Sequence, residues 1–179
     1  MLYTKKGDGG TTKLFDCPKD VRLSKSCFVF EVLGMLDELN STLGYAKALS
    51  RKFKISLMIK NVRTSYEDIL DNFGNSLFSI QAEVGGSKMQ ATSKQVCFLE
   101  KVIDEIETLL PPINSFVIPG GGEVGAYLDI ARAVARRTER GCVSIKDRKE
   151  CEVSEMSLIF LNRLSSALYA LARFANYQE

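Results

Sequence analysis

Apolar residues recur at spacings of three and four over most of the chain beyond residue 28, and this pattern strongly favours helices. The spacing places the apolar side chains on one face of each helix, which must then pack against other helices. The first such face is formed by Val29, Val32, Leu36, Leu39, Leu43 and Ala46. The last is formed by Leu158, Leu161, Leu164, Leu168, Leu171 and Ala175.

Three further helices are predicted between these two. Residues 57–84 continue the helical pattern through Ile69, Phe73, Leu77 and Ile80, up to a break at residues 85–87. Thr92 and Gln95 have the spacing of a capping box, which predicts a helix that ends before the prolines at 111 and 112. A long helix is expected from about Glu123 to Lys146.

These segments predict an all-α fold, a five-helix bundle with an irregular N-terminal loop. The chain has 179 residues, of which 45% are hydrophobic and 26% charged, as is usual for one globular domain. No linker divides it. We therefore expect a single domain over residues 1–179, with an N-terminal segment at 1–25 and the bundle at 26–179.

The chain contains no histidine, and this excludes several kinds of catalytic site. Ser-His-Asp triads, Cys-His pairs and HExxH zinc sites all require an imidazole. The five cysteines show no CxxC spacing, so neither a zinc site nor a disulfide framework is predicted, and no metal site is expected. A net charge of +2 is too small to indicate binding to nucleic acid or to a membrane.

The location of the cations is more informative than their number. Four charged residues of the fourth helix fall within an arc of about 100° on one face: Arg132, Arg136, Glu139 and Arg140. Guanidinium groups at this spacing repel one another unless an anion or a carboxylate lies among them, and their planar forks suit phosphate. A solvated helix face, with Glu139 as a surface partner, explains the same pattern equally well.

The N-terminal segment is a second region suited to anions. Its glycines allow backbone N–H groups to converge on phosphate oxygens, while its lysines and threonines add charge and donors. Taken alone, the segment is also compatible with a disordered basic tail. The glycines at 120, 122 and 125 match a dinucleotide-binding pattern, but Pro119 and the lack of parallel strands favour a turn that starts a helix.

Six stretches, in order, resemble the PduO-type ATP:cob(I)alamin adenosyltransferases. They are YTKKGDGGTTKLFD near the start, SK at 24–25, GMLDELNS at 34–41, SFVIPGG at 115–121, ARAVARRTER at 131–140 and FLNRLSSALYALARFAN at 160–176. The resemblance covers essentially the whole chain. The family's usual TRTGDxGTT opening is TKKGDGGTT here, which adds Lys6.

The resemblance implies ferritin-like up-and-down helix packing, a homotrimer with active sites at the subunit interfaces, and ATP and cob(I)alamin as substrates, with Mg²⁺ accompanying the triphosphate. It implies that Arg132 and Asp37 form a catalytic pair between subunits, with Arg136 also catalytic, and that Phe116 contacts the lower face of the corrin. It assigns these residues to the ATP site: Thr4, Lys5, Lys6, Gly7, Thr12, Lys13, Lys25, Arg136, Arg137, Glu139, Arg140 and Asn162.

The predicted function is therefore transfer of the 5′-deoxyadenosyl group of ATP to Co(I), with transient contacts to a reductase and to a B12-dependent acceptor enzyme. Two alternatives remain: a non-catalytic module that binds ATP or a corrinoid, and a structural bundle whose arginine face docks an acidic protein. With no signal peptide or transmembrane run in the sequence, we expect a cytoplasmic location, or an organelle matrix if a transit peptide has been removed.

Overall fold

The computed structural model describes residues 3–115 and 117–178, and within these ranges the chain forms five helices and two small two-stranded sheets. The helices are α1 (Phe28–Phe53), α2 (Tyr66–Val84), α3 (Ser93–Leu109), α4 (Glu123–Asp147) and α5 (Glu155–Gln178). The strands are β1 (Thr11–Thr12), β2 (Leu23–Ser24), β3 (Ser56–Ile59) and β4 (Val62–Ser65). The prediction of an all-α five-helix bundle is confirmed.

The core follows the apolar faces that the sequence predicts. α1 packs against α2 and α4, α4 packs against α5, and α5 packs against α3. The side chains of Leu36, Leu39 and Phe73 are fully buried among these helices. The Tyr66 hydroxyl, also buried, donates a hydrogen bond of 2.9 Å to the backbone oxygen of Leu171 and so ties the start of α2 to α5.

The ends of α3 and α4 have the predicted chemistry. Thr92 accepts a hydrogen bond from the Gln95 N–H, and the Gln95 side chain accepts one of 2.8 Å from the Thr92 N–H, so the predicted capping box is present. α4 begins directly after Gly122, whose N–H donates to Asn176 Oδ1 at 2.8 Å. A Cβ on Gly125 would lie 1.9 Å from that same oxygen, so the glycine permits the close approach of α4 and α5.

The prediction that the helix begins near residue 57 is wrong, because residues 56–65 form an antiparallel hairpin, β3–β4. Lys60 and Asn61 occupy its turn with φ of 49° and 63°, the left-handed values that a two-residue hairpin turn requires. Leu57 and Ile59 are buried while Met58 between them is exposed, which is the alternation of a strand. Four residues of alternation are too few to distinguish from the start of a helical pattern.

The N-terminal segment, predicted as irregular, contains one short pairing. β1 pairs with β2 in antiparallel register, with Thr11 opposite Ser24 and Thr12 opposite Leu23. None of the helices within the described ranges is both long and apolar enough to cross a membrane.

Candidate active site

Helix α4 holds its arginines outside because small residues fill its inner side. Ala131, Ala135 and Gly141 are buried, and a Cβ on Gly141 would lie only 3.0 Å from the Met35 sulfur on α1. The Thr138 hydroxyl reaches the backbone oxygens of Met35 and Val134 at 3.2 and 3.0 Å. α1 therefore packs tightly on α4, while Arg136, Arg137 and Arg140 are exposed on α4.

Three charged side chains on or beside this face have partners. Arg132 donates to Asp129 at 3.1 Å, and the Asp129 side chain is only 10% exposed. Arg137 forms an ion pair with Glu38 of α1. Glu139 accepts a hydrogen bond of 2.9 Å from Asn162 of α5. The flanks of the arginine face are therefore tied to α1 on one side and to α5 on the other.

Arg136 and Arg140 lie between these flanks and are exposed. Neither forms a hydrogen bond or an ion pair with any residue in the described ranges. Two guanidinium groups one helical turn apart, with the nearby carboxylates already engaged, are chemically suited to an anion with several oxygens.

The amide of Asn162 has a defined orientation. Its Oδ1 accepts a hydrogen bond of 2.8 Å from Arg163, and its Nδ2 donates to Glu139. Arg163 in turn lies 3.4 Å from Glu100 of α3. Asn162 is exposed, so the second N–H of its amide remains a donor for a ligand.

The N-terminal residues assigned to the ATP site belong to a folded loop. Lys25 donates from Nζ to the Gly7 oxygen at 3.0 Å, and its backbone N–H donates to the Gly10 oxygen at 2.9 Å. Thr4, Lys5, Lys6 and Lys13 are exposed and Thr12 is half-buried. The alternative of a disordered tail does not describe this segment.

A cavity of about 1040 Å³ lies between this loop, α1 and α2. Thr12 and Lys13 of the loop and Asp37 of α1 line it, together with the apolar side chains of Phe15, Phe30, Leu33, Phe78 and Met89. Asp37 is exposed and forms no ion pair with a residue that the structure describes.

The predicted site residues thus fall into two groups on one chain. Thr12, Lys13 and Asp37 share the cavity, whereas Arg136, Glu139, Arg140 and Asn162 share the outer face of α4 and α5. Within the described part of the chain, no hydrogen bond or ion pair joins the N-terminal loop to the arginines of α4. Arg132 and Asp37, the predicted pair, do not contact each other within one chain.

Phe116 lies outside the described residues. Among the described residues nearby, Arg173 donates to the Pro111 oxygen at 2.7 Å, and Asn176 accepts from Gly122. In the part of the chain that the structure describes, no group of three or more His, Cys, Asp or Glu residues is arranged to hold a metal ion.

Arg22 is absent from the predicted site, yet its guanidinium group makes three hydrogen bonds to the N-terminal loop. Arg22 reaches this loop because β1 pairs with β2, and the pairing connects residues that are far apart in the sequence. No local pattern indicates that pairing.

Fold and site together define a helical-bundle protein with an exposed arginine face and a glycine-rich, cationic loop, both suited to a polyphosphate. The chain belongs to the cobalamin adenosyltransferase family, whose model matches residues 2–175.

Among its relatives, the corrinoid adenosyltransferase of Mycobacterium leprae is 33% identical over 98% of this chain and 91% of its own length. That of Bacillus subtilis is 36% identical, over 98% of this chain and 86% of its own length. The PduO protein of Citrobacter freundii is 34% identical over 96% of this chain, and the alignment spans about half, 49%, of that longer protein.

Solved structures of corrinoid adenosyltransferases also match this chain. A variant PduO-type ATP:corrinoid adenosyltransferase from Lactobacillus reuteri, complexed with cobalamin and ATP, superposes with a TM-score of 0.83 at 29% identity. The match covers 99% of this chain and 92% of that one. A second variant of the same protein, complexed with ATP, superposes with the same TM-score, and the match covers 95% of that variant's chain.

Proposed function

We propose that this chain is an enzyme that transfers the 5′-deoxyadenosyl group of ATP to the Co(I) of a reduced corrinoid and releases triphosphate. The observation that carries this proposal is the pair of exposed guanidinium groups, Arg136 and Arg140, beside neighbours that are already engaged by an ion pair and a hydrogen bond. Membership of the cobalamin adenosyltransferase family supports the choice of substrates.

In this reaction the substrate cobalt is the nucleophile. Its electron pair forms the Co–C5′ bond, the C5′–O bond breaks, and the bonding electrons leave with the triphosphate oxygen. No proton is transferred, so a chain without histidine lacks nothing that the reaction needs. The protein must hold C5′ against the cobalt, an effect worth roughly 7–11 kcal/mol in well-oriented systems.

The second task is to stabilise the negative charge that accumulates on the leaving triphosphate. Fixed donors aimed at developing charge lower the barrier because they need not reorganise during the reaction. We assign this role to Arg136, Arg137 and Arg140. The loop residues Thr4, Lys5, Lys6, Gly7, Thr12 and Lys13, together with Lys25, would bind the other phosphate oxygens. Glu139 and Asn162 would contact the nucleoside.

Magnesium would be held by the triphosphate itself, since the described residues offer no cluster of carboxylates for it. No step of the reaction is assigned to it. We assign Phe116 to the lower face of the corrin, where an aromatic side chain would disfavour axial ligation of the cobalt.

A homotrimer with its active sites between subunits accounts for the separation of the two groups of site residues. One copy would supply the loop and Asp37, and a neighbour would supply the arginines. Asp37 lies in the same cavity as Thr12 and Lys13, so an Asp37–Arg132 contact between copies would bring the arginine face to the loop. A reductase and a B12-dependent acceptor enzyme would contact this assembly transiently, and a cytoplasmic location fits such partners.

The test is an anaerobic assay with ATP and chemically reduced cobalamin. We expect a light-sensitive alkylcobalamin spectrum and one released triphosphate for each corrinoid converted, with no product when the reductant is omitted. A reaction without ATP is the negative control. ATP binding without product under these conditions would instead indicate a non-catalytic binding module, and absence of ATP binding would favour a structural bundle.

A further inference from the structure

Arg22 lies just before β2 and reaches across to the residues on the other side of the N-terminal loop. Its Nε donates to Thr11 Oγ1 at 2.9 Å. Its Nη2 donates to the backbone oxygens of Lys6 and Thr11, at 2.9 and 2.7 Å. Three of the five guanidinium N–H bonds are therefore used within the loop.

These bonds close a segment that has little else to order it. Residues 5–10 form two tight turns, with Asp8 N–H donating to the Lys5 oxygen and Gly10 N–H donating to the Gly7 oxygen. Lys5 and Gly10 have φ of 59° and 74°, so the backbone is bent at both positions. No side chain from residues 5–10 is in the buried core. A short exposed loop of this kind loses much backbone entropy on ordering, and hydrogen bonds from outside it must offset that loss.

Arg22 spans the loop from end to end, since Lys6 and Thr11 stand at its beginning and its end. Lys25 contacts the two glycines between them, Gly7 and Gly10. Residues 22–25, which we call the strap, thus hold the loop in place. Arg22 binds its two ends, and Lys25 binds the glycines between them.

We propose that Arg22 is a positioning residue for ATP, which holds residues 6–11 in the shape that binds the triphosphate before the nucleotide arrives. This inference rests on the proposed function of the loop. Arg22 acts through the loop because most of its donors are already used there. A loop that is already ordered binds its ligand more tightly, because the entropy lost on ordering does not reduce the free energy of binding.

Lysine cannot replace this guanidinium group. An ammonium group has three donors at one point, whereas Thr11 Oγ1 and the Lys6 oxygen bind to different nitrogens of a planar fork. Arg22→Lys keeps the charge near the phosphates and removes the geometry. A purely electrostatic role would survive this change, and a positioning role would not.

The experiment measures steady-state adenosyl transfer with ATP varied, for the wild type, Arg22→Ala, Arg22→Lys and Lys19→Ala. Lys19 is the matched control, because it is an exposed cation of the same segment. We expect both Arg22 variants to raise the KM for ATP about tenfold and to leave kcat and the KM for the corrinoid within about threefold, while Lys19→Ala stays at wild-type values. General destabilisation would lower the active fraction, and thus kcat, without raising KM.

Hydrogen exchange without ATP provides a second measurement. We expect faster exchange of residues 5–12 in both Arg22 variants and unchanged exchange in α1–α5. An unchanged KM in Arg22→Ala, or full rescue by Arg22→Lys, in an active enzyme overturns this inference and leaves the proposed function standing. If the wild type shows no turnover, the proposed function fails, and the inference is then decided by the ATP affinity of the same variants in calorimetry. A wild type that binds no ATP overturns both.

Discussion

Arg136 and Arg140 keep their guanidinium groups exposed on α4 while the charged residues beside them have partners. Arg137 is engaged by Glu38, and Glu139 is engaged by Asn162. The helix sets the spacing of the two residues, so both guanidinium groups can contact the same anion, while their exposed side chains lose rotamer freedom when it binds. This spacing suits an anion with several oxygens.

Replacing Arg136 with alanine should weaken ATP binding by more than about 1.5 kcal/mol, because the variant loses a charge-assisted hydrogen bond to phosphate. Isothermal titration with ATP measures the change. Arg63→Ala, which removes an exposed arginine from the hairpin turn region, is the matched control and should bind ATP like the wild type. Equal affinity in both variants would remove Arg136 from the nucleotide site.

Two cysteines contribute to stability and not to reactivity at neutral pH. Burial raises the pKa of the Cys142 thiol to about 12 and that of Cys151 to about 11. Both thiols therefore stay protonated at neutral pH, which makes them poor nucleophiles. This agrees with a reaction in which the protein supplies no nucleophile of its own.

The Cys142 pKa predicts a pH dependence of stability. The ordinary thiol pKa is 9.0, so between pH 9 and 12 the folded chain holds a proton that the unfolded chain has lost. The free energy of unfolding should then fall as pH rises, by up to about 1.4 kcal/mol per pH unit from this thiol. Urea unfolding at pH 8 and 10.5 under reducing conditions should show a shallower fall for Cys142→Ala than for the wild type. Cys97→Ala, at an exposed position, should keep the wild-type slope.

At the scale of elements, the N-terminal segment contacts the C-terminal end of α2. The Phe15 N–H donates to the Gly85 oxygen at 2.7 Å. Gly86 has a φ of +91°, and a Cβ there would lie 2.4 Å from the Asp16 carboxylate and 2.9 Å from the Asp16 backbone nitrogen. The turn between α2 and α3 thus helps to place the loop that we assign to ATP.

Replacing Gly86 with alanine should displace this loop. The substituted residue is strained at that φ, and the Asp16 backbone must move to make room. We expect faster proteolysis within residues 1–25 and a severalfold higher KM for ATP. Gly44→Ala is the control: no atom lies within 4 Å of its Cβ, and the substitution should slightly stabilise α1. Proteolysis of Gly86→Ala at the wild-type rate would show that the loop does not depend on this contact.

At the scale of the whole molecule, no hydrogen bond or ion pair between described residues joins the N-terminal loop to the arginines of α4. Arg132 forms an ion pair with Asp129 of its own helix. Its guanidinium carbon lies 6.0 Å from the centre of the Tyr169 ring. Asp37 has no such partner among the residues described. In the proposed trimer, a second copy of the chain would bring the arginines to the loop.

Asp37→Asn should loosen the proposed trimer by about 2 kcal/mol per interface and lower activity, because it removes the negative partner of Arg132 across the interface. Sedimentation velocity measures the assembly. Asp104→Asn, at another exposed carboxylate, should leave it intact. Arg132→Ala should have the same effect as Asp37→Asn, with added destabilisation from the nearly buried Asp129 that it leaves unpaired. A fully active monomer in either Asp37→Asn or Arg132→Ala would contradict the intersubunit pair.

The sequence alone determined the five helices and the arginine face, because both follow from spacings of three and four residues within one helix. The arc of arginines on α4 is set by helix geometry whatever the rest of the chain does. The capping box of α3 is equally local, since its two residues are three apart.

The arrangement of these pieces follows from contacts between distant parts of the fold. The hairpin at 56–65, the hydrogen bonds from Arg22 to Lys6 and Thr11, and the pairing of Arg137 with Glu38 all join residues brought together by folding. Such contacts depend on which strands and helices become neighbours in the fold. The spacing of apolar residues along the chain does not specify those neighbours. For the same reason the helical pattern at 57–65 predicted a helix where packing against α3 stabilises a strand.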